Sequence, residues 1–291
     1  MTVIPVSNTA PSIARFQALG CPCEVLIDAE NKAAESYFID IAMKEALRIE
    51  KKYSRYVKGN IIDRINSSNG QAIAVDAETA ALLHYAAACY EVSDGLFDIT
   101  TGVLRKVWPH FNGSETVVQP QALTEVLKTM GWNKVRWAHD SIQMPTGFEI
   151  DFGGIGKEYA ADRILNLLIK EGARSVLVNL GGDIAAQGDR LWKVGIEDVQ
   201  HSGKVAKVVS LHTGGLATSG MTKRFTHVHE QRKGHILNPK TGWPVEEAPL
   251  SVTVMAKTCT EAGLWSSLAM LQGAQAEHYL AAHALEFWCY R

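Results

Sequence analysis

Predicted helices and strands follow one another in an irregular order along this chain, and that order limits the fold more than any other feature of the sequence. Apolar residues at helical spacing predict helices over 33–53, 79–92, 123–130, 157–171 and 261–272. Short apolar runs predict strands, among them 175–180, 205–211 and 250–256. Because the two kinds of element are mixed rather than strictly alternating, the pattern favours an α+β protein over a doubly wound parallel sheet. With no repeat and no obvious linker, we expect a single domain over 1–291.

The charge balance argues against a nucleic-acid or membrane partner. The formal net charge is -2, and the short basic pairs 223–224 and 232–233 are more typical of a solvated loop than of a binding stripe. No apolar stretch of about 18 residues predicts a transmembrane helix, and residues 1–15 lack the apolar segment of a leader. The five cysteines are an odd number, with three of them (Cys89, Cys259 and Cys289) inside apolar patterns. Free thiols of this kind are typical of a reducing compartment, so we expect a cytoplasmic protein.

The most informative stretch runs from Asp151 to Arg163, where a strand enters a glycine-rich turn and a helix begins at once. Such a helix start offers free backbone N–H groups and a positive dipole end, which suit a phosphate. Lys157 would add a cation beside a phosphate or a flavin edge, and Asp151 would accept hydrogen bonds from a ligand. The stretch is neither a Walker loop nor a Rossmann fingerprint. Its spacing fits equally well a plain strand-to-helix turn with a surface lysine.

Three further segments each fit two interpretations. Residues 179–184 read Asn-Leu-Gly-Gly-Asp-Ile, which alone is better explained as a hairpin turn than as a ligand loop. Residues 215–220 bring small hydroxyl side chains that suit either an anion or a turn. Residues 235–242 place His235, which titrates near neutral pH, ahead of a Pro-Lys-Thr-Gly turn. A lone histidine is more often structural than catalytic.

Taken together and in this order, these segments resemble the ApbE-type flavin transferases, the FAD:protein FMN transferase family. Two earlier segments support the resemblance: Tyr53-Ser54-Arg55-Tyr56 followed by Ile62 and Asn66, and residues 95–100 (Gly-Leu-Phe-Asp-Ile-Thr) followed by Gly102 and Trp108. The resemblance covers the chain from about Phe16 to Gly273. Six segments that match in the same order argue against chance.

The resemblance implies a fold, a ligand and a reaction. The fold would have a mixed or antiparallel sheet core with flanking helices, of the T-fold-like kind, and a cleft between two lobes. FAD would lie in that cleft with a magnesium ion beside its pyrophosphate. The enzyme would break the pyrophosphate, release AMP and join FMN through a phosphoester to a Thr or Ser of an acceptor protein.

The resemblance also assigns roles by position. The residues that would contact FAD are Leu19, Tyr56, Pro109, His110, Phe111, Asp151, Lys157, Ile236 and Leu237. Gly154 would offer its backbone carbonyl to the metal, and Ser267 its hydroxyl. His235 stands near the position of a proton acceptor. Lys157 and the metal would offset charge that develops on the phosphates, while the base takes the proton of the incoming hydroxyl.

One departure from the family pattern concerns the metal. Gly263 stands where the family has an Asp that binds the ion, and Ser267 keeps a hydroxyl where the family has Thr. Hard cations prefer anionic oxygens, so the loss of a carboxylate should weaken binding severely. Glu261 lies about 200° away around the helix and would need local unwinding to substitute. Asp183 is another candidate donor, from a different loop.

Two smaller departures are Glu158, where Gly is usual, and His110. The sequence therefore leaves three interpretations. The first is a flavin transferase with a modified metal site. The second is a flavin-binding or carrier protein that has lost the transfer chemistry. The third is an enzyme that hydrolyses FAD to FMN and AMP without a protein acceptor.

Overall fold

The computed structural model describes residues 1–4, 11–201 and 203–291; part of the N-terminal stretch 1–15, for which no leader is expected, lies outside these ranges. The strands are β1 (Thr2–Ile4), β2 (Ser12–Ala18), β3 (Cys21–Ile27), β4 (Ala72–Ala74), β5 (Asn112–Glu115), β6 (Arg136–Trp137), β7 (Ser141–Gln143), β8 (Ser175–Leu180), β9 (Asp183–Gly188), β10 (Trp192–Glu197), β11 (Val205–Leu211), β12 (Gly214–Gly220), β13 (Phe225–Val228), β14 (Gln231–Gly234), β15 (Ser251–Ala256) and β16 (Glu286–Tyr290).

The α-helices are α1 (Lys32–Tyr53), α2 (Ile61–Asn66), α3 (Ala77–Val92), α4 (Pro120–Lys128), α5 (Gly156–Lys170), α6 (Cys259–Leu271) and α7 (Ala276–Ala282). Short 3-10 helices span Ile99–Lys106, Trp132–Lys134 and Gly273–Gln275. In the described part of the chain, no helix combines the length and the apolar character needed to cross a membrane.

The centre of the molecule is a seven-stranded sheet in the order β16-β15-β12-β9-β8-β3-β2. Every neighbouring pair in it runs antiparallel. The parallel pairing of β5 with β13 belongs to a separate small sheet. The expected α+β fold with a mixed or antiparallel sheet core and flanking helices is therefore confirmed.

The central sheet is covered on both faces. Residues of α1, α5 and α6 share one buried cluster with inward-facing residues of the sheet, such as Val176 and Val178. Leu177, which points the other way, packs with Trp192 and Val194 of the small β1-β10-β11 sheet. Strand β8 is buried at every position for this reason, which accounts for its nearly continuous apolar sequence.

Candidate functional site

A cavity of about 940 Å³ opens where several turns of the fold meet. Its wall combines the start of α5, the β8–β9 turn and the C-terminal end of β12 with the segments around Trp108 and His235. Cofactor sites usually enclose roughly 300–1,000 Å³, so this cavity can take a ligand of dinucleotide size.

The start of α5 lines this cavity through Gly154, Lys157 and Glu158, while the amides of Ile155 and Gly156 donate to the carbonyl of Phe152. Ile155, the residue at the helix cap, makes no side-chain capping bond. Free N–H groups at a helix N-terminus carry partial positive charge and suit a phosphate. Lys157, in the first turn of the same helix, donates a hydrogen bond to Oδ2 of Asp183. Burial alone would lower the pKa of Lys157, but the carboxylates of Asp183 and Glu158 raise it above its ordinary value, so the side chain stays cationic.

Asp183 reaches the cavity because a tight hairpin precedes it. Strands β8 and β9 are joined by Gly181 and Gly182, which have φ angles of +68° and +106°. Two successive positive φ angles are the geometry of the tightest hairpins and favour glycine. The side chain of Asn179 accepts a hydrogen bond from the Gly182 amide at 2.9 Å. The hairpin interpretation of this segment is confirmed, and the same hairpin places Asp183, 3% exposed, in the cavity wall.

A group of hydroxyls lies where β12 packs against α6. Thr218, Ser219 and Ser267 line the cavity. The hydroxyl of Ser219 lies 2.9 Å from that of Ser266 and 3.3 Å from that of Ser267. The structure thus brings neutral oxygen donors into the same cavity as Asp183.

His235 lies in the cavity wall as a neutral imidazole. Its Nδ1 is 3.3 Å from the carbonyl oxygen of Arg224. A carbonyl only accepts hydrogen bonds, so Nδ1 carries the proton and Nε2 keeps a free lone pair. Burial lowers the pKa of His235 to about 4, and the nearby cations Arg224 and Lys157 act in the same direction. At neutral pH the side chain is therefore uncharged, and Nε2 is available to accept a hydrogen bond from a ligand hydroxyl.

Aromatic side chains form another part of the wall. Phe111 stacks on the buried Trp108 with ring centroids 6.1 Å apart and planes 21° apart, and its ring also meets His235 edge-on. Tyr56 is 78% exposed and also lines the cavity. Its neighbour Arg55 pairs with Asp151 at 2.9 Å, which fixes the side chain of Asp151 at the entrance of the glycine turn.

Most of the site residues predicted from the sequence meet in this cavity. Those that line it are Tyr56, Pro109, Phe111, Asp151, Gly154, Lys157, His235, Ile236, Leu237 and Ser267. Leu19 and His110 are not among the lining residues. Leu19 lies in the turn between β2 and β3, and His110 is exposed between two lining residues.

The structure adds lining residues to which the sequence analysis gave no ligand role. Arg55, Lys223 and Arg224 line the cavity, as does Glu158, which is buried. The pairing of Arg55 with Asp151 has no signal in the sequence, because the two residues are far apart along the chain. Glu261 does not line the cavity; its carboxylate accepts a hydrogen bond from the Lys257 amide at the start of α6.

The oxygen donors in the cavity fit a magnesium ion only if the phosphates of a substrate complete its coordination shell. Among the described residues, no cluster of three or more His, Cys, Asp or Glu side chains is placed to hold a metal. Asp183 and Glu158 nevertheless share the cavity with the Ser267 hydroxyl. Mg²⁺ commonly binds through one or two carboxylates together with substrate phosphates and water. A pair of carboxylates in a cavity that can take the phosphates of a dinucleotide matches that pattern.

Comparison with known proteins agrees with this picture. The model of the ApbE family matches residues 19–289, and the chain belongs to that family. The FAD:protein FMN transferase of Treponema pallidum is 30% identical over 281 residues, which cover 88% of this chain and 77% of that protein. The FAD:protein FMN transferase of Salmonella typhimurium is 29% identical over 196 residues, covering 63% of this chain and 56% of that protein. The crystal structure of the ApbE protein of Thermotoga maritima superposes with a TM-score of 0.86 at 27% identity, covering 96% of this chain and 94% of that one.

Proposed function

We propose that this protein is an FAD:protein FMN transferase. The observation that carries the proposal is one cavity that holds a neutral histidine, a paired lysine and an uncapped helix start. These are a base, a cation and a phosphate-binding backbone, which phosphoryl transfer requires. The names of the curated relatives point to the same reaction.

In this proposal the phosphates of FAD lie against the start of α5 and the flavin lies towards the aromatic wall. Tyr56, Pro109, Phe111, Ile236 and Leu237 supply apolar contacts, and Asp151 accepts hydrogen bonds from the ligand. Leu19 and His110, which do not line the cavity of the free protein, are the remaining contacts that the family resemblance implies. Lys157 faces the phosphates and offsets their charge.

The reaction transfers the FMN part of FAD through its phosphorus atom. The hydroxyl oxygen of an acceptor Thr or Ser attacks the phosphorus that carries the riboflavin part of FAD. A P–O bond to the acceptor forms, the bond from that phosphorus to the bridging oxygen breaks, and AMP leaves with the bridging oxygen. Nε2 of His235 takes the proton of the acceptor hydroxyl. Lys157 and the amides of α5 stabilise the negative charge that moves onto AMP.

We propose magnesium as the metal of the site. A bound Mg²⁺ would act as a Lewis acid and offset charge on the pyrophosphate. The residues that would hold it are Asp183, the Ser267 hydroxyl and the Gly154 carbonyl, with a further carboxylate from Glu158. Each lines the cavity, and each offers the oxygen donors that Mg²⁺ prefers.

Binding of FAD without transfer is the weaker alternative. It rests on Gly263, which removes a carboxylate from α6. The cavity still contains two carboxylates, those of Asp183 and Glu158, and a neutral base in His235. A protein that only stores FAD would not require these groups in one cavity.

The test follows both products of the reaction. Purified protein is incubated with FAD, Mg²⁺ and a flavin-depleted lysate of the source organism. AMP is measured by chromatography, and covalently bound flavin by fluorescence of protein bands after denaturing electrophoresis. The proposal expects AMP and a fluorescent acceptor in equal amounts, with both lost in His235→Gln and retained in the control His212→Gln, an exposed histidine outside the cavity. AMP without a labelled protein would mean hydrolysis, and FAD binding without AMP would mean a carrier.

We propose that the whole chain is one domain with two lobes around the cleft, acting on an acceptor protein rather than on nucleic acid. Lining residues that range from Met1 to Leu271 support a single unit. We also propose a cytoplasmic location. All five cysteines are free thiols, which is typical of a reducing compartment. The thiols of Cys21 and Cys23 both lie near the carbonyl oxygen of Ala18.

A further inference from the structure

Glu158, in the first turn of α5, has a buried carboxylate whose hydrogen bonds are incomplete. The residue is 7% exposed, and Oε2 has no hydrogen-bond partner among the described residues. Burying a carboxylate oxygen without a partner is costly, so natural proteins rarely do so. Since Glu158 also lines the cavity, its unpartnered oxygen points to a ligand that brings positive charge.

Gly263 on α6 makes the space that Glu158 fills. A Cβ atom added at Gly263 would lie 2.5 Å from Cγ of Glu158 and 3.1 Å from both Cδ and Oε1. A side chain at 263 and the observed side chain of Glu158 therefore exclude each other. The carboxylate of Glu158 occupies the volume into which a side chain at 263 would project.

The contact between these residues is held in place by the packing of α5 against α6. One turn after Glu158, the carboxylate of Asp162 accepts hydrogen bonds from the amides of Cys259 and Thr260 at 2.9 and 2.8 Å, and from the Thr260 hydroxyl at 2.6 Å. Asp162 thus ties α5 to the first turn of α6. Because Gly263 lies one turn further along α6, the same arrangement sets it against Glu158.

The charges around Glu158 favour a bound cation. The buried carboxylate of Glu158 lies close enough to that of Asp183 for the two negative charges to interact. Lys157 donates its hydrogen bond to Asp183, so it leaves Oε2 of Glu158 without a partner. Ser267, one turn after Gly263, lines the cavity with a hydroxyl. Two carboxylates and a hydroxyl form an oxygen-rich set that matches a hard divalent cation.

We propose that Glu158 is a carboxylate ligand of a divalent cation in the cleft, together with Asp183, and that it reaches the ion from α5 through the space left open by Gly263 on α6. This assignment rests on the proposed function, because the cation would serve the pyrophosphate of FAD. In this proposal the metal-binding carboxylate comes from α5, whereas the family pattern places it on α6.

Metal binding is measured directly, apart from catalysis. Metal-stripped protein is titrated with Mn²⁺, alone and with FAD present, and free Mn²⁺ is followed by its paramagnetic resonance signal. Glu158→Gln keeps the shape of the side chain and removes a buried charge, so it should fold. We expect it to weaken Mn²⁺ binding by about tenfold or more, since affinity depends on the number of charged ligands. The matched control Glu261→Gln, outside the cavity, should bind Mn²⁺ as the wild type does.

The reciprocal exchange sharpens the test. Glu158→Gly alone should lose Mn²⁺ affinity, and adding Gly263→Asp should restore it to within a few fold, because the carboxylate returns from α6. Mn²⁺ binding by Glu158→Gln equal to that of the wild type would overturn the proposal, as would a wild type that binds no Mn²⁺ with or without FAD. AMP release plays no part in this readout, so a protein that binds Mn²⁺ through Glu158 yet transfers no FMN would refute the proposed function and leave the metal ligand standing.

Discussion

Lys157 and Asp183 form an ion pair across the cavity, between the first turn of α5 and the first residue of β9. The Asp183 side chain is 4% exposed, whereas that of Lys157 is 34% exposed. Lys157→Ala leaves a buried carboxylate without its partner. We expect a loss of about 1–3 kcal/mol in the free energy of unfolding, below the range for a fully buried pair because Lys157 still meets solvent. Urea unfolding of the metal-free protein measures this loss of stability.

The exposed pair Lys32–Glu35 supplies the control for this prediction, since Lys32 is 91% exposed. Lys32→Ala should change the free energy of unfolding by less than about 0.5 kcal/mol. Adding Asp183→Asn to Lys157→Ala should recover part of the lost stability, because no buried charge is then left alone. Equal effects of Lys157→Ala and Lys32→Ala would show that the cavity pair does not stabilise the fold.

Tyr56→Ala tests a contact with the ligand without a change in the stability of the fold. Its side chain lines the cavity and is 78% exposed, so it contributes little to the packing of the free protein. We expect Tyr56→Ala to weaken FAD binding by about tenfold, as loss of one aromatic contact typically does, with no change in melting temperature. Tyr37→Ala, at a tyrosine that is 51% exposed and lies outside the cavity, should bind FAD normally by calorimetry.

The helices were largely predictable from the sequence because local periodicity specifies them, whereas the cleft was expected from the resemblance to the flavin transferases. The helix expected over 157–171 spans Gly156–Lys170, and the one expected over 261–272 spans Cys259–Leu271. The 3-10 helix Ile99–Lys106 and helix α7 were not expected. Both are short, and short segments carry too little periodicity to be recognised.

The partnership of Glu158 with Gly263 could not be derived in the same way. Each residue looked like a separate departure from the family pattern, and Gly263 suggested a lost carboxylate. Only the packing of α5 against α6 puts the glutamate in the space beside the glycine. Contacts between residues far apart in sequence depend on the tertiary fold, and one sequence does not encode them in any local pattern. The pairing of β10 with β1 and with β11 escaped prediction for the same reason.

Gly215 allows β12 to pack closely against α6. A Cβ atom added there would lie 2.1 Å from the backbone nitrogen of Cys259 and 2.2 Å from the backbone carbon of Thr258. Neither atom can move without shifting the start of α6. We expect Gly215→Ala to lower the free energy of unfolding by about 3 kcal/mol or more. Gly156→Ala is the control, since a Cβ there meets no atom within 4 Å, and it should leave stability nearly unchanged.

The lowered pKa of His235 makes stability depend on pH in a defined direction. Burial lowers that pKa from 6.5 to about 4 in the folded protein, whereas the unfolded chain keeps the ordinary value. Between pH 6.5 and 4 the unfolded state therefore binds a proton that the folded state does not, so the free energy of unfolding falls as the pH falls through this window. Above about pH 7 neither state binds it, and the contribution vanishes. His235→Gln lacks the effect, so its stability should fall less steeply than that of the wild type between pH 6.5 and 4, with parallel curves above pH 7. Chemical denaturation across pH 4–8 measures both curves, and curves that stay parallel throughout would mean that His235 titrates normally and is not held neutral by the cavity.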